Sequence, residues 1–454
     1  MRSPPYYSSI NHIADDRIVL KQGRRPPVRP LKKRANKNAA VSLPQGDALT
    51  GQLTRWICGL FGLILLAAPA RAESPELDGD KPAQNFVIGY LRRAENRTAI
   101  SRLSLPAEND GQAGAESGLD DNNVAGEFLG QKFSLAAHRL KPGEDPGQAL
   151  ADLEAKGARF VLADLPAEAL LKAADSPAGA KTLLFNIGAA DEILREESCR
   201  ANVIHVAPSR AMLADGLTQY LLWKQWRKLL VVVGSHDQDR LWAEALKRSA
   251  TRFGGKIIEE RMFADAGGAR RADSGVALVQ KQIPAFTQNA PAYDVMLAAD
   301  ESAVFAEYLP YRTWDARPVA GSAGLVPTSW DPAYEQAGAT QLQQRFERKF
   351  LRHMTALDMN GWTAARMIGD AAAHDAAGDT SAARAYFLSK DFALAAFKGQ
   401  KLTLRDWNLQ LRQPILLSDG RNVVSVSPQE GFMHQFSELD TLGLDRPETK
   451  CRLK

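Results

Sequence analysis

The chain of 454 residues contains few of the side chains that most often carry catalysis or hold metal ions. It has 3 cysteines and 7 histidines, and the histidines are scattered without metal-like spacing. It also lacks a Gly-x-Ser-x-Gly nucleophile turn, a phosphate-cradling Gly-Lys-Ser/Thr loop and a His-Glu-x-x-His zinc motif. We therefore predict that the protein is not an enzyme, and that it has no catalytic residue, resident cofactor or metal site.

An excess of positive charge is absent outside one end of the chain. The formal net charge is +4, but residues 1–72 carry 12 Lys and Arg against 3 Asp and Glu. The remainder carries 45 basic and 50 acidic side chains, a net charge of −5. Because nucleic-acid binding needs a basic face, we predict that the folded part does not bind nucleic acid.

The N-terminal segment has the pattern of an export signal. Residues 1–52 are basic and rich in proline, and we predict a disordered extension there, unless the true start lies further in. Residues 53–72 are predicted as a signal peptide, because the apolar run Trp56–Ala68 precedes the small-x-small pattern Ala70-Arg71-Ala72. The alternative is a transmembrane anchor, but a span takes roughly 20 apolar residues. We expect cleavage near Ala72 and a periplasmic location.

The few cysteines carry information about the C-terminal tail. Cys58 lies inside the predicted signal peptide, so removal of the signal leaves Cys199 and Cys451. An even pair in an exported chain favours a disulfide that fixes the tail to the first half of the protein. The alternative is two unrelated thiols.

The stretch from Lys181 to Phe263 carries the clearest structural pattern. Short apolar strands alternate with amphipathic helices, which is typical of a parallel sheet covered by helices. Ser209 has the position of a helix N-cap, and we expect Pro208 to mark the crossing from one α/β lobe to another. The predicted strands along the chain include Phe86–Leu91, Lys132–Ala136, Phe160–Leu162, Leu183–Phe185, Val203–Val206, Leu229–Val233 and Tyr293–Ala298.

Several phrases resemble one family of proteins. A Gly/Ala-spaced helix ending in Asn122-Asn123, followed by Phe128-Leu129-Gly130-Gln131 and a strand, is similar to the first helix of type I periplasmic solute-binding proteins. The leucine/isoleucine/valine-binding branch is the most similar. Within the family, the Ser209–Met212 hinge and the tryptophan-rich second lobe resemble the branch that accompanies quinoprotein (pyrroloquinoline quinone-dependent) alcohol oxidation. Further resembling segments are 145–149, 199–209, 330–332 and 362–365.

The resemblance implies a two-lobed α/β fold of the type I periplasmic-binding-protein class, each lobe a mainly parallel sheet flanked by helices and joined to the other by a hinge. Lobe 1 is expected from residues 84–207 and 322–400, and lobe 2 from residues 208–321 and 401–454.

The implied function is that of the binding component of an ABC importer. Such a protein clamps a small polar, aromatic or carboxylated solute by hinge closure and delivers it to a membrane permease and its ATPase. Pyrroloquinoline quinone itself is one candidate ligand. The alternative is a ligand-sensing or accessory protein of the same oxidation system without a role in transport.

In doubly wound sheets a ligand binds beyond the carboxyl ends of the strands. Arg92 or Arg93 would pair with a carboxylate there, or both are surface residues. Trp242 would offer a flat face to an aromatic ligand, or it packs in the core. Asp237 and Asp300 would accept hydrogen bonds from a ligand or cap helices. The complete set of predicted ligand-binding residues is Arg92, Arg93, Asp164, Asn186, Gly188, Ala189, Asp237, Trp242 and Asp300.

Two of the predicted site loops lack hydroxyl groups. The amino-acid binders of the resembling family hold the ligand's carboxylate and ammonium with Ser and Thr hydroxyls, whereas Ala163–Pro166 and Asn186–Ala189 contain neither residue. We therefore expect a ligand other than an ordinary amino acid.

Overall fold

The computed structural model describes residues 84–93, 105–264 and 278–453. The predicted N-terminal extension (1–52) and signal peptide (53–72) lie outside these residues. Among the described helices, none combines the length and the apolar character needed to cross a membrane.

A five-stranded sheet with helices on its faces forms the first lobe. Its elements are β1 (Gln84–Arg93), α1 (Gln112–Leu129), β2 (Gln131–Leu140), α2 (Pro146–Ala155), β3 (Phe160–Asp164), α3 (Ala167–Ala174), β4 (Leu183–Asn186) and β5 (Val203–His205). The strands run parallel in the order β2-β1-β3-β4-β5. Every residue of β3 and β4 is buried, which explains their continuous apolar sequence, because helices cover both faces of a parallel sheet.

A four-stranded parallel sheet forms the second lobe. Its elements are α4 (Arg210–Trp223), β6 (Lys228–Gly234), α5 (Asp237–Phe253), β7 (Lys256–Phe263), α6 (Leu278–Thr287), β8 (Val295–Ala299), α7 (Leu309–Arg312) and β9 (Val319–Gly321). The strand order is β7-β6-β8-β9. Ser209 accepts a hydrogen bond from the Met212 N–H at 3.2 Å and caps α4, so the second lobe begins directly after Pro208.

The last third of the described chain contributes further elements to each of the two lobes. Its elements are β10 (Val326–Thr328), α8 (Ala339–Phe350), α9 (Ala356–Ala373), α10 (Thr380–Leu388), β11 (Leu394–Ala395), β12 (Lys401–Leu404), β13 (Leu411–Arg412), β14 (Ile415–Ser418) and β15 (Val423–Ser427). Helices α9 and α10 pack in the core of the first lobe. Strands β10, β14 and β15 form a small antiparallel sheet that packs against α4.

The chain packs again with lobe 2 only some residues after position 401. Leu402 and Leu411, in β12 and β13, are buried in the core of the first lobe, whereas Ile415 is buried in the core of the second. The chain therefore leaves the core of lobe 1 between Leu411 and Ile415, at Gln413 and Pro414. Gly399 has a φ of +76° and lies in a turn within lobe 1, not at a change of lobe.

The glycine spacing of the first predicted helix has a packing role. Helix α1 lies directly against α9, and a Cβ atom on Gly114 would lie 1.8 Å from the Asp358 carbonyl oxygen. Only glycine permits this approach. The Asp358 carboxylate accepts hydrogen bonds from the N–H groups of Gly111 (2.8 Å) and Gly114 (3.2 Å), so α9 also binds the start of α1.

The hinge between the lobes is held by side-chain amides. Gln413 Nε2 donates to the Val206 carbonyl at 2.6 Å, and Gln410 Nε2 donates to the carbonyls of His205 and Ala207, each at 3.1 Å. A second crossing lies between Ala320, buried in the core of lobe 2, and Trp330, buried in the core of lobe 1. The amide bonds join the first crossing, at residues 206–209, to the third, at Gln413 and Pro414. Cys199 and Cys451 form a disulfide in the structure, with a Cα–Cα distance of 5.7 Å.

Candidate functional site

The candidate site is a cleft between the two lobes. It has a volume of about 620 Å³ and lies at the carboxyl ends of β1, β3 and β4 in lobe 1 and of β6 and β8 in lobe 2. This is the position at which ligands bind in doubly wound sheets. Its charged and backbone-exposing lining residues are Arg92, Asp164, Gly188, Ala189, Asp191, Arg210 and Glu301.

Arg92 and Asp164 form an ion pair on the lobe-1 wall. Arg92 Nε lies 3.0 Å from Asp164 Oδ2, and the two side chains are 12% and 9% exposed. Arg92 Nη1 also donates to the carbonyls of Glu108 (3.0 Å) and Asp110 (2.9 Å). The neighbouring Tyr90 hydroxyl has its pKa raised above the ordinary range by burial and by Asp164. The ion pair with Asp164 and the two bonds to backbone carbonyls hold Arg92 in one orientation beside the cleft.

Arg210 joins the two lobes across the cleft. It is the first residue of α4, and its side chain is only 9% exposed. Its Nη1 donates to Asp191 of lobe 1 at 2.9 Å, while Nε and Nη2 donate to Glu301 of lobe 2 at 2.9 and 2.7 Å. The guanidinium group thus binds one carboxylate in a forked geometry and a second from the opposite lobe.

Electrostatics favour the charged form of Arg210. Burial works against that form, but Glu301 and Asp191 raise the pKa of Arg210 above its ordinary value. Burial also raises the pKa of Glu301, although Arg210 acts in the opposite direction. Three carboxylates face two guanidinium groups in the cleft, so each guanidinium group has a carboxylate partner and one negative charge is in excess.

Helices also begin at the cleft. Ala167, the first residue of α3, and Gln238, the second residue of α5, line it together with Arg210 of α4. The N-terminus of α4 already binds a carboxylate, because the Ala211 N–H donates to Glu192 Oε1 at 2.7 Å. Helix N-termini attract anions, so the helices reinforce the preference that the two arginines create.

A second cavity of about 350 Å³ adjoins the charged cleft, and both are lined by Gly188 and Ala190. Its walls are mainly apolar and include Ile187, Pro208, Leu213, Pro327 and Leu357. Thr328, Ser329 and Thr355 also line it, and these are residues of the hydroxyl-bearing type that the two loops of the sequence lack. Together the cavities offer a charged end and an apolar end.

Asn186 shapes the site but does not face a ligand. Its side chain is fully buried, accepts from the N–H groups of Gly188 (3.3 Å) and Ala189 (2.9 Å), and donates to the Ala189 carbonyl at 2.8 Å. The predicted ligand contact is therefore a turn support. Gly188 and Ala189 themselves line the cleft, as does Asp164.

Asp300 supports the loop that follows β8. It is 4% exposed and its carboxylate accepts hydrogen bonds from the N–H groups of Val304 (2.9 Å), Phe305 (2.7 Å) and Ala306 (2.7 Å). Burial raises its pKa, while the three N–H donors lower it. The Asp300 carboxylate thus binds the backbone of its own loop, and the next residue, Glu301, lines the cleft.

The remaining predicted residues do not line the cleft. Trp242 is 4% exposed, because it lies on the face of α5 that packs into the core of the second lobe. The Asp237 side chain is 92% exposed and pairs with Arg240 on the same helix at 2.9 Å. Arg93 is the last residue of β1, and its side chain lies outside the described residues.

Two charged cleft residues, Asp191 and Arg210, were missed by the sequence interpretation, and a third, Glu301, belongs to a predicted site loop but was not among the predicted ligand-binding residues. Each had a usable signal. Arg210 directly follows the Ser209 N-cap, Glu301 follows a strand end, and Asp191 follows the Asn186–Ala189 turn. Attention to the first residue of the crossing helix would have identified Arg210.

The fold and the cleft together define a two-lobed periplasmic-binding-protein fold, and solved structures share it. A periplasmic binding protein from Burkholderia mallei covers 82% of this chain with all of its own length, at 16% identity and a TM-score of 0.58. A leucine-, isoleucine-, valine-, threonine- and alanine-binding protein from Brucella ovis does the same at 13% identity and a TM-score of 0.59.

A third structure, an ABC transporter solute-binding protein from R. palustris in complex with benzoate, covers 81% of this chain at 13% identity, with a TM-score of 0.57. It too is matched over its full length. No protein-family model matches the chain, and no curated protein matches it in sequence. The predicted α/β fold with two lobes is confirmed by these neighbours. At such identities the likeness concerns the fold.

Proposed function

We propose that the protein is the periplasmic substrate-binding component of an ABC importer, which clamps a small carboxylated solute between its two lobes. The observation that carries this proposal is Arg210, a guanidinium group that binds carboxylates from both lobes inside a ligand-sized cleft. A ligand carboxylate would take the place of Asp191 or Glu301 on Arg210. Their side chains, 25% and 29% exposed, have room to turn outward.

The second cavity supports a ligand with an apolar body. A carboxylate placed between Arg92 and Arg210 would extend past Gly188 toward Ile187, Leu213 and Leu357. An aromatic or branched carboxylate has this shape, and a neighbour of the same fold was solved with benzoate. The finer proposal, a compound of quinoprotein-linked alcohol oxidation such as pyrroloquinoline quinone, also carries carboxylates on an aromatic body and belongs to this class.

Hinge closure would couple binding to delivery. A ligand that contacts Arg92 of lobe 1 and Arg210 of lobe 2 stabilises the conformation in which the lobes are close, because its contacts to both are made only there. A permease and its ATPase are the proposed partners, and they would recognise that conformation.

A thermal-shift panel tests the proposal without an assay of transport. It contains branched-chain amino acids, aromatic carboxylates, the amides of those carboxylates, short alcohols, aldehydes and pyrroloquinoline quinone. A ligand at 100 times its Kd stabilises the native state by about 2.7 kcal/mol. We expect shifts with carboxylates and none with their amides. A shift with alcohols or amides alone would contradict the proposed role of the arginines.

A second candidate is a sensing or accessory protein of the same fold. The observation that favours it is the mutual compensation of Arg92 with Asp164 and of Arg210 with Asp191 and Glu301, since the cleft is electrostatically satisfied by its own side chains. No shift with any member of the panel would favour an accessory role. A permease and ATPase encoded beside the chain would favour import, and an adjacent sensor kinase would favour sensing.

A further inference from the structure

The last residues of the chain contact both lobes. We call residues 437–453 the C-terminal strap. It begins beside the third crossing, where Asp440 is 1% exposed and lies 2.8 Å from both Arg405 Nε and Arg412 Nε. Arg405 Nη2 also donates to the carbonyls of Leu439 and Leu442, at 3.0 and 2.7 Å. The start of the strap is therefore fixed at the hinge.

The strap is next anchored in lobe 2. The Gly443 N–H donates to Asp215 Oδ2 at 2.8 Å, and its carbonyl accepts from Arg252 at 2.6 Å. Asp215 lies on α4, is fully buried and also binds Arg248. Leu442 is packed in the core of the second lobe. The bonds between charged groups make this anchor firm.

The strap then ends in lobe 1. Cys451 forms its disulfide with Cys199, four residues before β5. The Lys450 N–H donates to Glu196 Oε2 at 2.8 Å, and Thr449 Oγ1 donates to Oε1 of the same carboxylate at 3.2 Å. The exposed residues 446–448 connect the two anchors, and within this link Arg446 pairs with Asp406 and Glu448 Oε2 lies 3.3 Å from Arg248 Nη2 of α5. The disulfide closes this connection covalently.

The strap is thus a fourth connection between the lobes, beside the three crossings. Its anchors, Gly443 and Cys451, are eight residues apart, and eight extended residues reach at most about 28 Å. The lobe-1 anchor lies just before the first crossing and the lobe-2 anchor, on α4, just after it. A separation of the lobes that moves α4 away from Cys199 increases the distance that the strap must span.

We propose that the C-terminal strap limits how far the two lobes separate, because its exposed link joins a covalent anchor in lobe 1 to a buried ionic anchor in lobe 2. The restraint acts on the ligand-free protein and narrows the range of interlobe angles. Opening beyond the reach of the link would require Gly443 to leave Asp215 and Arg252, which costs charge-assisted hydrogen bonds to a buried group.

Interlobe distances measured by pulsed electron resonance test the strap. Spin labels are placed through Lys172→Cys on α3 and Arg240→Cys on α5, whose side chains are 59% and 52% exposed. The decisive variant inserts Gly-Ser-Gly-Ser after Pro447, which keeps the disulfide and both anchors but lengthens the link. The matched control inserts the same residues after Gly157, in an exposed turn where a side chain would meet open space.

We expect the lengthened strap to shift the ligand-free distance distribution to longer values and to broaden it, and the control insertion to leave it unchanged. A Cys199→Ser, Cys451→Ser double variant is expected to show the same shift. If it does not fold, the insertion variant decides alone. Identical distributions for the lengthened and control proteins would overturn the restraint. Because no ligand is present, this outcome is independent of the proposed transport function.

Discussion

Charged side chains gather in two regions of the molecule, the cleft and the hinge, and the two regions expose them differently. In the cleft, the carboxylates that bind Arg210 are about one quarter exposed. At the hinge, Arg195, Lys398, Arg405 and Asp440 are 1–2% exposed. Arg195 donates to Gln410 Oε1 at 2.6 Å and to the Ala207 carbonyl at 2.8 Å, and burial lowers its pKa to about 10.

The difference in exposure separates two uses of charge. A buried group with fixed partners stabilises one arrangement of the backbone, because leaving its partner unpaired away from water is costly. The Asp191 and Glu301 side chains are about one quarter exposed, so either carboxylate can be solvated when it turns away from Arg210 and a ligand can take its place. We infer that the hinge charges hold the crossings in place and that the cleft charges exchange partners with the solute.

The largest expected effect is at the buried hinge pair. Asp440→Asn removes the carboxylate that neutralises Arg405 and Arg412, and we expect the free energy of unfolding to fall by about 3–5 kcal/mol. Urea denaturation measures this. Asp237→Asn is the control, since that carboxylate is 92% exposed, and it is expected to change stability by less than about 0.5 kcal/mol. Equal losses of unfolding free energy in Asp440→Asn and Asp237→Asn would contradict the claim that burial makes the hinge charges stabilising.

The next effect is a pH dependence at Lys398. Burial lowers the pKa of this lysine to about 7, against 10.5 for a free lysine. Between these pH values the unfolded chain binds a proton that the folded chain does not, so stability rises with pH over that window and is independent of this group below it. The full amplitude, set by the difference between the two pKa values, is on the order of 5 kcal/mol.

Lys398→Met is expected to remove this slope when denaturation is followed from pH 6 to pH 10. The variant also leaves Gln413 Oε1 without the donor that lies at 2.5 Å, so the slope and not the absolute stability is the relevant readout. Lys390→Met, at an exposed position, is the control and retains the slope. A slope that survives in Lys398→Met would assign it to other groups.

The last effect concerns binding and is expected at Arg210. Arg210→Gln removes a charge-assisted bond to the ligand worth about 1.5–3 kcal/mol, which corresponds to roughly 10- to 100-fold weaker binding of a carboxylate. Arg210→Lys keeps the charge but not the forked geometry, so an intermediate loss is expected. Arg240→Gln, on the surface of α5, serves as the control. Unchanged affinity in Arg210→Gln would show that the solute binds elsewhere.

Much of the fold follows from the sequence because the pattern is local. The buried strands β3 and β4 are continuous apolar runs, and Ser209 caps α4 as its position indicates. The sequence does not indicate which lobe contains residues 401–412, because apolar side chains such as Leu402 and Leu411 would suit the core of either lobe. Which core accepts them depends on long-range packing that a local pattern does not contain.

The site was less predictable than the fold. Arg92, Asp164, Gly188 and Ala189 lie in the cleft because they are in the last residues of a strand or in the turn after it. Asn186 and Asp300 occupy such positions as well, but their side chains bind the backbone of their own loops. Local hydrogen bonding of this kind is common for Asn and Asp, and only coordinates distinguish such a loop support from a residue directed at a ligand.

The central claim is that the cleft arginines recognise a carboxylate shared between the lobes. Isothermal titration of the carboxylate that gives the largest thermal shift, beside its primary amide, tests this most directly. The account predicts that the amide binds at least about tenfold more weakly to the unaltered protein, and that Arg210→Gln abolishes most of this difference. Equal affinity for carboxylate and amide in the unaltered protein would contradict it.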